Sequence, residues 1–139
     1  MSRAPSMKAS ALGALIVALL AATTIRAEDI VVIVNPAAKT ISKEQIADLY
    51  LGRSAELTPL DQTAGSAIYV QFYKKATGRD AAQVKAIWSR ILFTGRGLPP
   101  KQLPDSEAVK KAVASNPNVV GYIEKSAVDA SVKVALPLD

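Results

Sequence analysis

Chemistry in this chain concentrates in one turn, Asp61-Gln62-Thr63-Ala64-Gly65-Ser66, which follows an extended run and passes into a helical pattern. Ser66 is placed to cap that helix by accepting from a first-turn N–H. The remaining N–H groups at such a helix start point outward and favour an anion. A plain capped helix after a strand is the simpler account of the same residues, so the turn by itself leaves binding open.

Other chemistries are narrowed by what is missing. The sequence has no histidine and no cysteine, which excludes a Ser-His triad, a thiolate nucleophile and the usual zinc ligand sets. Asp61, Asp80, Asp105 and Glu107 each read as turn or cap residues, and nothing selects a facing pair of acids for glycoside cleavage. Neither catalysis nor a cofactor is therefore expected. Tyr69, Phe72, Tyr73, Trp88 and Phe93 fall at helical spacing and read as core. Arg53, Arg96 and Lys101 either attract an anion or keep their loops solvated.

These residues need a scaffold, and the pattern supplies one. Asp29 to Val34 is β-branched and continuously apolar, as a strand buried on both faces is. Ser42 and Gln45 form a capping box for a helix whose inner face is Ile46, Leu49 and Tyr50, with Gly52 as terminator. Leu57, Pro59 and Leu60 make a short strand before the turn. Helices are expected from Ala67 to Thr77 and, behind a second capping box at Asp80 and Gln83, from about residue 81 to Phe93. In the latter, Val84, Ile87, Trp88, Ile91 and Leu92 follow the helical period.

Gly95 to Pro100 is irregular, since two prolines bar a helix or inner strand. Asp105 or Ser106 caps a further helix that ends at Asn116-Pro117. Val119 to Ile123 is a second buried strand, with Gly121 marking close backbone approach. Val132 to Leu136 alternates as a terminal strand. Strands alternating with helices predict an α/β fold, a mixed β-sheet flanked by helices. The Asp61–Ser66 turn then falls at the carboxyl end of a strand, where open sheets of this class bind ligands.

The first residues read differently. Arg3 and Lys8 precede an apolar run from Ala11 to Ala22, and Ala27 ends a small-residue boundary. This predicts a secretory signal over 1–27 and a mature domain over 28–139, periplasmic or secreted. The run is shorter than the roughly 20 residues of a membrane span, so no stable membrane insertion is expected after cleavage. Loss of Arg3, Lys8 and Arg26 lowers the basic count from 17 to 14 against 12 acidic residues, leaving a net charge of +2. With no basic run longer than two, nucleic acid is not an expected partner.

Three segments together resemble a known family. Ile41-Ser42-Lys43-Glu44-Gln45-Ile46-Ala47-Asp48-Leu49-Tyr50-Leu51-Gly52-Arg53 resembles a helix of the phosphate-binding proteins of bacterial ABC transporters. Asn118 to Ile123 is similar to a strand of the same family, and the Trp88 helix with Phe93-Thr94-Gly95-Arg96-Gly97 resembles its small exported relatives. The resemblance implies a single lobe of periplasmic-binding-protein type, with a small phosphate-like anion as ligand. It places the ligand-binding residues at Gln62, Thr63, Gly65, Ser66 and Ala67. Gly65 and Ser66 match the family's phosphate loop and Thr63 keeps a hydroxyl. Gln62 stands where the family has arginine, and Ala64 where it has aspartate. Restoring that pattern by Gln62→Arg with Ala64→Asp is expected to tighten phosphate binding. The alternative is that the loop is vestigial and the crevice edge meets a protein partner or a second copy of the chain.

Overall fold

The computed structural model describes residues 29–138; the expected signal segment lies outside them. Five strands form one mixed sheet: β1 (Ile30–Val34), β2 (Thr58–Gln62), β3 (Lys101–Leu103), β4 (Val119–Glu124) and β5 (Lys133–Leu138), in the order β3-β2-β4-β1-β5. β2 runs parallel to β3 and β4, whereas β1 is antiparallel to β4 and β5. Four helices flank the sheet: α1 (Lys43–Tyr50), α2 (Ala67–Thr77), α3 (Ala81–Phe93) and α4 (Ser106–Ser115). The expected α/β class, a mixed sheet flanked by helices, is the class observed.

Local chemistry sets the helix starts. Both capping boxes form, Ser42 with Gln45 and Asp80 with Gln83, each satisfying two backbone donors at a helix start. Asp105, not Ser106, caps α4, leaving the Ser106 hydroxyl free to face inward.

Alternation along β1 divides the core in two. Ile30, Val32 and Val34 face α1, α2 and α3, joining Tyr50, Phe72, Tyr73, Tyr122 and Trp88. Val31 and Ile33 face α4, joining Leu60, Val109, Val113 and Ile123. Trp88 is buried as its helical position predicts, and its indole N–H donates to the Tyr50 carbonyl at 2.9 Å. At Gly121 the α4 layer lies so close that an added Cβ would stand 2.4 Å from Val109 Cγ1, which is the close approach that its place in a buried strand predicts.

Two expectations about the apolar face of α3 need correction. Phe93 is 93% exposed and Leu92 is 47% exposed. The sheet-facing stripe ends at Ile91, and five residues beyond Trp88 a helix has turned Phe93 well away from the core. A third difference is β3, a three-residue edge strand just after Pro99-Pro100, too short and too exposed to carry a period.

Candidate functional site

β2 extends two residues further than its apolar residues indicate, taking Asp61 and Gln62 out of the turn and into the sheet. Both are 3% exposed. β3 and β4 flank β2 in the sheet, while α2 covers one face of this end through Tyr73 and α4 the other through Ser106.

Asp61 faces the α2 layer. Its two carboxylate oxygens accept from the Tyr73 hydroxyl at 2.7 Å and the Tyr122 hydroxyl at 2.8 Å. Burial raises its pKa to about 7, against the lowering effect of those two hydrogen bonds. Burial and the facing carboxylate together hold the Tyr73 and Tyr122 hydroxyls far above the ordinary tyrosine range, so both stay neutral donors. The reading of Asp61 as a turn or cap residue is thus corrected: it is a buried, titratable acid.

Gln62 faces the opposite way. Its side-chain amide donates to Ser106 Oγ and to the Tyr122 carbonyl, both at 3.0 Å, and its backbone N–H donates to the Tyr122 hydroxyl at 3.1 Å. Ser106 in turn hydrogen-bonds the Glu124 carboxylate. Gln62 therefore has its side-chain and backbone donors engaged inside the protein, and it does not line the cleft beside the turn.

The turn proper runs from Thr63 to Ser66. Gly65 sits at φ +87°, a left-handed conformation that disfavours any side chain. The Ala64 N–H donates to Gln102 Oε1 at 3.0 Å, tying the turn to β3. Ser66 caps α2 by accepting from the Tyr69 N–H, and its own N–H donates to the Thr63 carbonyl. The N–H groups of Ala67 and Ile68, in the first turn of α2, have no intrahelical acceptor and are the donors left for a ligand.

Beside this turn opens a cleft of about 500 Å³ between β2, α3 and Pro99-Pro100. Asp61, Ala64, Gly65, Tyr69, Lys85, Trp88 and Gln102 line it. Among the expected ligand contacts, Gly65 lines this cleft; Thr63, Ser66 and Ala67 belong to the adjoining turn, and Gln62 lies behind it. Asp61, Lys85 and Gln102 are the polar groups that sequence reasoning missed. A polar pair ending a short strand was the available signal for Asp61. Lys85 and Gln102 lie on an exposed helix face and an edge strand, where such residues are commonplace. Among the described residues no group of three His, Cys, Asp or Glu side chains is arranged to hold a metal ion.

No protein-family model matches the sequence, and no curated protein matches it. Solved structures do share the fold. An ABC-type phosphate transport receptor from Vibrio cholerae aligns with a TM-score of 0.60 and 19% identity, over 79% of this chain and 48% of its own. A protein from Clostridium perfringens, described as a phosphate ABC transporter substrate-binding protein with bound phosphate, aligns at 0.61 and 21%, over 78% and 44%. The chain has the fold of part of these binding proteins. It spans less than half the length of either.

Proposed function

We propose that the chain is a non-catalytic, solute-binding-like protein that takes a small phosphate-like anion at the cleft beside the β2–α2 turn. The observation that carries this reading is the position of the cleft. It lies at the carboxyl end of β2, which runs parallel to β3, with the α2 N-terminus at its edge. Such an N-terminus offers both outward N–H groups and the positive end of the helix dipole. Lys85 adds a cation to the wall. The fold shared with two phosphate-transport proteins supports the same ligand class.

Asp61 shapes the pH response. Its carboxylate repels an anion when ionised and ceases to do so when protonated, so affinity rises as pH falls through about 7. With neutral N–H donors and one exposed lysine replacing an arginine fork, binding is micromolar or weaker. The same reading includes export, with residues 1–27 as the signal and Glu28 as the mature N-terminus.

Isothermal titration with phosphate and sulfate tests the proposal. Phosphate binding that weakens several-fold in Lys85→Gln is the expected result. Absence of both heat and any melting shift, at pH 6 as well as pH 8, would overturn it. A partner-binding role would then gain ground from Phe93 and Leu98, 93% and 80% exposed near the cleft.

A further inference from the structure

A second concavity, of about 560 Å³, opens on another side of α3, beside the end of α1. At 100° per residue, Lys85, Trp88 and Ser89 of the first cleft and Ile87, Arg90 and Ile91 of this groove lie on different faces of the helix. Arg53, Arg79, Arg90 and Arg96 all line the groove, and they are all the arginines of residues 29–138. None of the ten lysines in that range lines it, and no carboxylate does.

Helix dipoles account for only part of this arrangement. Arg53, Arg90 and Arg96 lie near the C-terminal ends of α1 and α3, where any cation is favourable. Arg79 lies between the C-terminal end of α2 and the N-terminus of α3, where the two dipoles oppose each other and give a cation no clear net gain. Lysine would serve a dipole as well as arginine, whereas only arginine offers a planar fork to an oxyanion. Arg53 pairs with Asp48, at 3.4 Å, and Arg96 donates to the Thr94 hydroxyl. Arg79 and Arg90 have no ion pair among the described residues. Subtracting Asp48 and about half a charge for each of two helix ends leaves a groove of roughly +2.

We infer that this groove is a second binding site, taking an elongated oxyanion of several charges, of the linear polyphosphate class. Length follows from the spacing. Arg90 lies nine residues beyond Ala81, the first residue of α3, roughly 13 Å along the helix at about 1.5 Å per residue, and Arg79 precedes that start. A compact phosphate meets both only if the two side chains fold toward each other along the groove, whereas a chain of phosphates meets a fork at each end. Leu51, Ile87 and Ile91 line the same groove and bring no opposing charge to it.

The test is isothermal titration of sodium tripolyphosphate into the wild-type protein and into an Arg79→Gln, Arg90→Gln double variant, with folding checked by circular dichroism. Wild type should bind tripolyphosphate with an affinity that falls steeply as salt is raised. The double variant should lose at least about tenfold while its response to monophosphate, which belongs to the other cleft, stays unchanged. An Arg79→Lys, Arg90→Lys variant should also bind more weakly, because the forks are lost though the charges remain. Absence of tripolyphosphate binding in wild type, or equal affinity in wild type and the Gln variant, would overturn the inference. Failure of monophosphate to bind would leave it standing and count against the first cleft alone.

Discussion

Asp61 makes the sheet sensitive to pH, and the sign of the effect is set by its environment. Its pKa rises from 3.8 in the ordinary state to about 7 when folded. Between those values the folded protein holds a proton that the unfolded chain has released. The stability this group contributes is therefore complete below pH 4 and is lost as pH rises through about 7. Between pH 5 and pH 8.5 the loss covers about two pKa units, or roughly 3 kcal/mol at about 1.4 kcal/mol per unit. Asp61→Asn carries no such proton and should lack this part of the slope. Asp129, whose pKa is held low chiefly by Ser131 and Lys110, stays ionised throughout this range, so it does not confuse the comparison. Urea unfolding of both proteins at the two pH values is the assay. Wild type should lose roughly 3 kcal/mol more than the variant over the interval. Parallel losses would refute the burial argument for Asp61.

Other positions give independent checks. Trp88→Ala removes the indole from the α1–α3 contact together with its hydrogen bond to the Tyr50 carbonyl, and should cost about 3–5 kcal/mol in chemical denaturation; a wild-type emission maximum of water-exposed indole would contradict its burial. Gln62→Arg, one half of the double exchange expected from the family pattern to tighten phosphate binding, should by itself destabilise the protein by about 1–3 kcal/mol, because the longer side chain displaces the amide's hydrogen bonds to Ser106 and the Tyr122 carbonyl in a packed site. A stable Gln62→Arg protein with tighter phosphate binding would show that the side chain turns toward the cleft.

The fold was largely legible because its elements announce themselves locally. Capping boxes at Ser42 and Asp80 mark helix starts, and the continuous apolar runs of β1 and β4 mark strands buried on both faces. What was not legible depended on packing between distant segments. Nothing near Gln62 in sequence indicates that its amide would meet Ser106, 44 residues away, or that Asp61 would meet Tyr122, 61 away. A short strand ending in polar residues looks the same whether those residues face solvent or a tyrosine layer. The exposure of Phe93 was hidden for a related reason, since apolar identity says nothing about where a sheet ends beneath a helix. The arginine groove needed the fold as well, because Arg53 and Arg79 to Arg96 come together only once α1 packs beside α3.

The anion cleft itself is tested most directly by following backbone and indole N–H resonances during a phosphate titration at pH 6. Saturable shifts are expected at Ala67 and Ile68 in the first turn of α2, and at Gly65, Lys85 and the Trp88 indole around the cleft. Shifts confined to the neighbourhood of Arg79 and Arg90, or none at all, would contradict the proposed cleft site.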